Sequence, residues 1–355
     1  MKSRKKGSTL HSPFLKSTMK KKDASFEAPL RPLSLQEFTG QPHTAARLQI
    51  LIQAAKKRND ALGHLLFFGP PGLGKTTLAQ ILAGEMEKKL ITTSGPVIEK
   101  PADIAGILTS LQEGDCLFID EIHRLPKTIE EYLYSAMEDF RIDLMIDSGP
   151  NARSVPIELP PFTLIGATTK SGMLSSPLRT RFHHQLRLDY YSVETLTTIA
   201  FRTAKLLGKP LDPPSALSIA KRSRGTPRVL NNLMRWLRDY ADIHAGGTIS
   251  QESTKEALDM LAIDEKGLDE MDKKILTVMM EHHNGGPVGI NTLALAVGEE
   301  SSTIAEVYEP FLVREGLIKR TPRGRELTPL AYAYLQPEKN TPASENKHHI
   351  REPKA

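Results

Sequence analysis

The stretch Gly69-Pro70-Pro71-Gly72-Leu73-Gly74-Lys75-Thr76 decides the fold, because it fits the phosphate-loop pattern G-x-x-x-x-G-K-[ST]. It follows the apolar run Leu65-Leu66-Phe67-Phe68 and precedes a helical pattern that begins at Thr77. In this context the backbone N–H groups of the loop and the positive end of the helix dipole bind phosphates. The sequence therefore predicts a site for ATP or GTP, in which Lys75 reaches the β- and γ-phosphates and Thr76 contacts Mg²⁺.

Composition favours a globular protein of several domains. The chain has 355 residues, of which 39% are hydrophobic and 25% charged, and it has one cysteine, Cys116. This length predicts two or three domains, and a single cysteine cannot form an intramolecular disulfide. The sequence holds no run of 18 apolar residues, so no contact with a membrane is predicted and a cytoplasmic location is expected.

The positive charge is concentrated at the N-terminus. The formal net charge is +5, but residues 1–28 hold eight Lys/Arg and two Asp/Glu, a net +6, so the remainder carries 5 − 6 = −1. Residues 1–28 lack the apolar core of a signal peptide and are predicted to be a disordered basic leader, with an accessory contact to nucleic acid as the alternative. Residues 337–355 are polar and are predicted to be a disordered tail.

A second apolar run ends in two acids. Residues 116–121 read Cys-Leu-Phe-Ile-Asp-Glu, which is typical of a buried parallel strand that presents acids at its carboxyl end. Ligands of open α/β sheets bind at that end of the strands. We therefore expect Asp120 to hold Mg²⁺ through water and Glu121 to act as the general base on the attacking water.

Polar residues in later elements complete the predicted nucleotide site. The apolar residues 162–167 precede Thr168, which is a candidate to orient the lytic water or the γ-phosphate; a turn cap is the alternative. Arg179 and Arg181 follow in a short turn, and arginine suits the charge of a transferred phosphoryl group. Arg228 stands at the start of a predicted helix, where it opposes the helix dipole and is better suited to contact an anion.

The order of these elements resembles that of the AAA+ ATPases, and particular segments resemble the bacterial RuvB family of Holliday junction branch-migration ATPases. The segments that carry the resemblance are Leu30-Arg31-Pro32, Gly40-Gln41-Pro42, Gly69–Thr77, Ile119–Leu125, Gly166–Thr169, Leu174–Arg179, Lys221–Arg228, Gly285–Gly289 and Arg320–Arg325. The phosphate loop is generic, whereas the last two segments are much more particular to this family.

The resemblance covers about residues 29–335 and implies a fold of three domains. It implies a large AAA+ P-loop domain with a parallel α/β sheet at residues 29–190 and a small helical lid domain at residues 191–261. A winged-helix DNA-binding domain would follow at residues 262–336. Helical and hairpin patterns in the last segment agree with a winged helix.

The resemblance also implies roles for further residues around the nucleotide. The residues that would hold the phosphates are Gly72, Gly74, Lys75, Thr76 and Thr77. The residues that would line the adenine pocket or contact nucleotide from the lid are Leu30, Arg31, Tyr191 and Arg228. The segment Glu138-Asp139-Phe140 matches a family stretch near the nucleotide, although the sequence gives it no chemical role.

Arg181 would be an arginine finger offered in trans to the ATP of the neighbouring subunit. The active form would therefore be a ring, a homo-hexamer. One departure lies close by: this chain has His183-His184 after Phe182, where the family has glycine followed by an apolar residue. We expect that departure to alter the turn that presents Arg181.

Two segments are predicted to contact partners. Residues 141–157 read as a hairpin, and Leu144, Met145 and Ile146 are unusually apolar for an exposed one. The resemblance implies that this hairpin docks on the junction-binding protein RuvA, whereas from the residues alone packing against its own domain is the alternative.

The second such segment is the predicted wing of the last domain. Lys319, Arg320, Arg323 and Arg325 fall within seven residues, which indicates a patch that contacts DNA phosphates without reading sequence. From the residues alone, a winged helix that docks a protein is the alternative, and the resemblance favours DNA.

The sequence as a whole predicts an ATP-driven motor. The resemblance implies that it would form a ring on duplex DNA and drive branch migration of Holliday junctions in recombination and repair, with RuvA and the resolvase RuvC as partners. One alternative is a clamp-loader or initiator-type AAA+ switch that does not translocate, and another is an idle AAA+ scaffold. The intact Lys75, Asp120, Glu121 and Arg181 argue against the scaffold.

Overall fold

The computed structural model describes residues 30–146 and 153–336. The predicted leader, the predicted tail and the turn of the hairpin at 147–152 therefore lie outside the described residues. The chain divides into two compact units, whose boundary in sequence lies between Met260 and Leu261, with Glu265–Gly267 counted with the first unit. Among the helices described, none is both long and apolar enough to cross a membrane.

The first unit is built on a five-stranded parallel sheet, which confirms the predicted α/β fold. The strands of this unit are β1 (Leu65–Phe68), β2 (Leu90–Ser94), β3 (Cys116–Asp120), β4 (Arg141–Ile146), β5 (Arg153–Glu158), β6 (Thr163–Thr168) and β7 (His184–Arg187). The order in the sheet is β2-β3-β6-β1-β7, while β4 and β5 form a separate antiparallel hairpin. The strands β1, β3 and β6 are adjacent and almost wholly buried, so their carboxyl ends meet at one edge.

Helices precede and follow the strands of this sheet. They are α1 (Pro42–Arg58), α2 (Lys75–Glu85), α3 (Pro101–Thr109), α4 (Lys127–Glu138) and α5 (Ser176–Arg181), and then the lid helices α6 (Val193–Leu206), α7 (Pro213–Arg222), α8 (Pro227–His244) and α9 (Gln251–Met260). Three lid helices begin at a polar cap: the side chains of Ser192, Asp212 and Thr226 each accept a hydrogen bond from a backbone N–H three residues on. These caps explain where the lid helices start.

The second unit is a winged helix. Its elements are α10 (Glu270–His283), α11 (Ile290–Val297), α12 (Ser301–Thr303), a π-helical turn (Ile304–Tyr308), α13 (Glu309–Arg314), β8 (Ile318–Thr321), β9 (Gly324–Leu327) and α14 (Pro329–Leu335). The helical segment from Ser301 to Arg314 is interrupted by this π turn. Pro310 has no N–H to donate to the carbonyl of Glu306, so the α-helical hydrogen-bond ladder is broken there.

The wing packs closely against the loop before α11. Val288 and Arg325 exchange two backbone hydrogen bonds, each of 2.9 Å. A Cβ atom added to Gly286 would lie 2.3 Å from the carbonyl oxygen of Arg325, and one added to Gly324 would lie 2.5 Å from that of Val288. Both glycines also have positive φ angles, so this pairing requires glycine at each position. The two segments most particular to the resembled family therefore pair with each other.

Candidate functional site

The phosphate loop connects β1 to α2 and surrounds the side chain of Lys75. Gly69 has φ +137°, and an added Cβ would lie 2.2 Å from the carbonyl oxygen of Leu188, so only glycine fits there. Gly74 has φ +99° and precedes the first residue of α2, which is Lys75. The Lys75 Nζ donates to the carbonyl oxygens of Gly69 at 2.8 Å and Pro70 at 2.9 Å. The loop therefore has the strand–turn–helix geometry that the motif predicts.

Lys75 is buried beside the acids at the end of β3. Only 7% of the residue is exposed. Burial lowers the pKa of Lys75 from 10.5 to about 8, while the charges of Glu121 and Asp120 raise it and that of Arg228 lowers it. Residues 75, 120–121 and 228 are distant in sequence, and the fold brings their charges within electrostatic reach of one another.

The low pKa of Lys75 predicts a pH-dependent difference in stability from a Lys75→Met variant. Between pH 8 and 10.5 the unfolded chain keeps this proton while the folded chain releases it, so the free energy of unfolding rises with pH. Without nucleotide, the free energy of unfolding of the wild type should rise by about 2–3 kcal/mol relative to that of Lys75→Met between pH 8 and 10.5. Denaturant unfolding at a series of pH values measures the gain, with Lys57→Met, at an exposed lysine, as the charge control. A constant difference would contradict the prediction.

The two acids occupy a sharp turn at the end of β3. The Asp120 Oδ1 accepts a hydrogen bond from the backbone N–H of Glu121 at 2.9 Å. Burial, and then the charge of Glu121, raise the pKa of Asp120. Glu121 has φ +46°, a left-handed conformation that costs roughly 1–3 kcal/mol outside glycine and that is concentrated at functional sites. The turn directs the chain from β3 into the 3₁₀ helix Ile122–Arg124.

Two residues that the sequence analysis did not assign hold the carboxylate of Glu121. The Thr169 Oγ1 donates to the Glu121 Oε2 at 3.2 Å, and the His123 Nδ1 lies 3.2 Å from the same oxygen. Thr168 is fully buried, and its hydroxyl lies 2.9 Å from the His123 Nδ1 and accepts from the N–H of Lys170. The Thr168 hydroxyl thus caps the turn after β6, which is the alternative role considered for it, while Thr169 contacts Glu121. In the sequence, Thr169 follows directly after β6, and His123 lies two residues after Glu121.

Arg181 is the last residue of α5. Its Nη2 lies 2.9 Å from the Glu138 Oε2, and its Nη1 donates to the carbonyl oxygen of Pro177 at 3.0 Å. Within the described residues, no hydrogen bond or ion pair joins Arg181 to Lys75, Asp120 or Glu121. The fold therefore pairs Arg181 with Glu138, and the described contacts of its guanidinium do not include the phosphate loop.

The residues that flank Glu138 and Arg181 differ in burial. Asp139 is exposed, whereas Phe140 is half-buried and packs edge-on against Phe162, with the ring centroids 5.8 Å apart. After Phe182 the chain enters β7 at once, and the backbone N–H of His184 donates to the carbonyl oxygen of His64 at 3.2 Å. The two histidines that depart from the family pattern therefore lead directly into a strand.

The lid approaches the phosphate loop through two predicted residues. The hydroxyl of Tyr191 donates to the carbonyl oxygen of Leu73 at 3.1 Å, and burial raises the pKa of Tyr191. A Cβ added to Gly72 would lie 3.2 Å from the Cβ of Arg228. In the loop helix, Thr76 is half-buried and Thr77 is buried. Lid and loop are therefore in contact at Gly72 and Leu73.

Leu30 and Arg31 lie where the loop helix and the lid meet. The Arg31 Nη1 donates to the Gln80 Oε1 on α2 at 3.3 Å. The carbonyl oxygen of Leu30 accepts from the Arg202 Nη1 on α6 at 2.9 Å, and the Leu30 side chain is buried. This position suits an adenine pocket.

In the second unit, the three wing arginines have different environments. The Arg325 guanidinium donates to both oxygens of Glu309, at 3.0 and 3.1 Å, and Arg320 also donates to this carboxylate. Glu309 is 2% exposed; burial opposes its ionisation, but the hydrogen bonds from both arginines lower its pKa. Arg323 is exposed between the strands, and no ion pair involves it in the described part of the wing.

The predicted hairpin is confirmed in the backbone. Strands β4 and β5 pair antiparallel from Arg141–Glu158 to Ile146–Arg153. Leu144, Met145 and Ile146 lie on β4, but their side chains are outside the described residues. Ile142, nearer the sheet, is fully buried.

This geometry defines a class of protein. A phosphate loop, an Asp-Glu strand end, a polar strand end and a helical lid that touches the loop together make the first unit the ATPase part of an AAA+ P-loop protein, which binds nucleotide and hydrolyses ATP. Three family profiles match nearly all described residues: "Holliday junction DNA helicase RuvB P-loop domain" at 30–188, "RuvB AAA lid domain" at 191–264 and "RuvB C-terminal winged helix domain" at 265–336. The chain belongs to the RuvB family.

Individual relatives agree with the family match. The chain is 59% identical over 322 residues to the Holliday junction branch migration complex subunit RuvB of Protochlamydia amoebophila, covering 91% of this chain and 97% of that protein. It is 58% identical to the subunit of the same name from Flavobacterium johnsoniae, covering 88% and 92%. The RuvB Holliday junction branch migration motor of Thermotoga maritima has a similar structure, with a TM-score of 0.79, 48% identity, and coverage of 87% and 98%.

Proposed function

We propose that this chain is the ATP-driven motor of a Holliday junction branch-migration complex, working as a homo-hexameric ring on duplex DNA together with RuvA. The names of the relatives support the junction as substrate. The observation that carries the ring is the position of Arg181, which pairs with Glu138 and is not joined to Lys75 in its own chain. In a ring, a neighbouring subunit could supply this arginine to the nucleotide site as a finger.

In the proposed mechanism, the residues of one subunit bind ATP and activate water. Lys75 exchanges the loop carbonyls for the β- and γ-phosphates, while Leu30 and Arg31 contact the adenine. Glu121 takes a proton from the attacking water at its carboxylate, which Thr169 and His123 hold in place. Thr168 fixes this turn or orients the γ-phosphate.

The oxygen ligands available fit Mg²⁺. Among the described residues, no group of three or more His, Cys, Asp or Glu side chains is arranged as a metal site. The hydroxyl of Thr76 and the carboxylate of Asp120 are hard oxygen donors, which suit an ion held mainly by phosphates and water. The ion would neutralise charge on the β- and γ-phosphates.

The conformational change that drives the motor would be a movement of the lid. Tyr191 and Arg228 contact the loop region from the lid, so binding and loss of the γ-phosphate would move the lid against the sheet domain. Glu138 and Asp139, beside Arg181, would face the nucleotide of the neighbouring subunit. We propose the domain limits 29–190, 191–261 and 262–336 for these parts.

Two surfaces would contact the partners. Leu144, Met145 and Ile146 on the β4–β5 hairpin would dock on RuvA, and the wing would grip DNA phosphates through Arg323, with Arg320 as a partly engaged second contact. We propose RuvC as a further partner and the cytoplasm as the location. The clamp-loader alternative is not favoured, because a switch requires neither the wing nor the hairpin.

The direct test of this function is ATP-dependent dissociation of a synthetic four-way junction, with and without RuvA. We expect dissociation to require RuvA, ATP and an intact Arg181. Hydrolysis without junction movement would favour the switch, and no hydrolysis at all would leave the scaffold.

The wing predicts opposite effects for two neighbouring arginines. Arg323→Ala should leave the unfolding midpoint nearly unchanged and weaken the binding of duplex DNA. A plot of the logarithm of the DNA association constant against the logarithm of the salt concentration should become less steep, by about 1. Arg325→Ala removes two hydrogen bonds to the buried Glu309 carboxylate and should destabilise the winged helix by roughly 1–3 kcal/mol. Thermal unfolding measures the stability of both variants, and a salt series of binding measurements gives their affinity for duplex DNA. Equal effects of both variants on stability would contradict the different roles given to Arg323 and Arg325.

A further inference from the structure

A small polar network joins α4 to the start of α5, outside the residues assigned so far. Glu130 is buried, with 5% of the residue exposed. Its Oε2 accepts hydrogen bonds from the hydroxyl of Tyr134 at 3.0 Å and from the hydroxyl of Ser175. The two hydroxyl oxygens lie 3.0 Å apart. A buried carboxylate is thus held by two hydroxyl donors, which fixes the position of the Tyr134 ring.

The same network holds both ends of the helix that carries Arg181. Ser175 is the N-cap of α5, and its Oγ accepts from the backbone N–H of Leu178 at 3.3 Å. Arg181 is the last residue of α5, and its guanidinium carbon lies 4.4 Å from the centroid of the Tyr134 ring. This distance is within the range of a cation–π contact. Tyr134 therefore touches the start of α5 with its hydroxyl and the end of α5 with its ring.

We propose that Tyr134 is the positioning residue for Arg181, with Glu130 and Ser175 fixing the ring by its hydroxyl. The proposal rests on the proposed function, in which Arg181 is the finger in trans. Arginine has a long side chain with many rotamers, and a stacked ring removes most of them before the phosphate arrives. Stacking uses the face of the guanidinium, so the Nη2 that now donates to Glu138 can donate to an anion instead.

The contact to Glu138 completes this arrangement. Glu138 has 54% of its side chain exposed, so its ion pair with Arg181 is accessible to solvent and weak. An incoming phosphate can displace the Glu138 carboxylate from the guanidinium edge while the ring contact persists. Glu138 thus occupies the edge that the phosphate takes in the assembled ring, and Tyr134 supports the face throughout.

Two substitutions at Tyr134 separate the ring from the hydroxyl. Tyr134→Leu removes the face that supports Arg181 and should lower ATP turnover of the assembled ring about 3- to 30-fold, with nucleotide affinity unchanged. Tyr134→Phe keeps the face but loses the hydroxyl that fixes it, so turnover should fall less than in Tyr134→Leu and stay within about 3-fold of wild type. Wild-type turnover in Tyr134→Leu, or a loss as large in Tyr134→Phe, would overturn the proposal. A fall in nucleotide affinity that matches the fall in turnover would also overturn it.

Mixed rings distinguish a failure of this proposal from a failure of the proposed function. Subunits with Glu121→Gln keep their finger but cannot hydrolyse ATP, so mixing them with Arg181→Ala subunits should raise turnover above the mean of the two separate preparations. Mixing them with Tyr134→Leu subunits should do the same. Recovery with Arg181→Ala but not with Tyr134→Leu would overturn the role of Tyr134. If turnover rises in neither mixture, the assignment of Arg181 as a finger in trans is wrong.

Discussion

Replacement of Arg181 by alanine is expected to lower ATP turnover by about 10³-fold or more while nucleotide affinity stays at the wild-type level. An arginine that stabilises the charge of a transferred phosphoryl group contributes about 10³–10⁵ in rate. Affinity should persist because Arg181 pairs with Glu138 and does not contact the loop that binds ATP in its own chain. Steady-state turnover and titration with a fluorescent nucleotide analogue measure the two quantities separately.

Arg179 is the matched control for this prediction. It lies on the same short helix, has the same charge, and is exposed. Arg179→Ala should therefore keep turnover close to wild type. Turnover that falls equally in both variants would mean that α5 contributes general positive charge or stability, and the assignment of a single finger would be wrong.

Glu121→Gln is expected to lower turnover by about 10²–10⁴-fold, the range contributed by a positioned general base. Glutamine keeps the shape of the side chain and can still contact Thr169 and His123, so the fold and the binding of ATP should persist. The protein should therefore accumulate in the ATP-bound state. Single-turnover hydrolysis, followed by analysis of bound nucleotide, checks both parts of the prediction.

Glu113→Gln serves as its control, because Glu113 is an exposed acid on the loop that leads into the same strand. Turnover in this variant should match wild type. If Glu121→Gln itself turned over ATP at the wild-type rate, another group would have to activate the water, and the role given to Glu121 would be lost.

The parts of the fold that sequence predicts well are those that a local pattern encodes. The phosphate loop lies between β1 and α2 because the apolar run and the glycines determine strand and turn without distant contacts. The acids at 120 and 121 end a strand for the same reason. Parallel strands then bring these ends together at one edge of the sheet, where the sequence predicts a nucleotide site.

The sequence does not distinguish the roles of similar residues when those roles depend on partners that are distant in the chain. The wing arginines are alike in sequence, but their environments differ. Arg320 and Arg325 donate hydrogen bonds to Glu309, which lies 11 and 16 residues before them in the sequence, whereas Arg323 is exposed. Likewise, nothing in the pair of threonines at 168 and 169 indicates which one contacts Glu121. The difference arises because the first ends the buried strand and the second follows it.

The close pairing of Val288 with Arg325 has a mechanical consequence. The hairpin of the wing is tied to the loop before α11 by two backbone hydrogen bonds and to α13 by the carboxylate of Glu309. If Arg323 contacts DNA as proposed, a pull on its side chain would load these hydrogen bonds together with the β8–β9 pairing. Such a load would be shared between the loop before α11 and the first turn of α13, and would not fall on the turn of the hairpin alone.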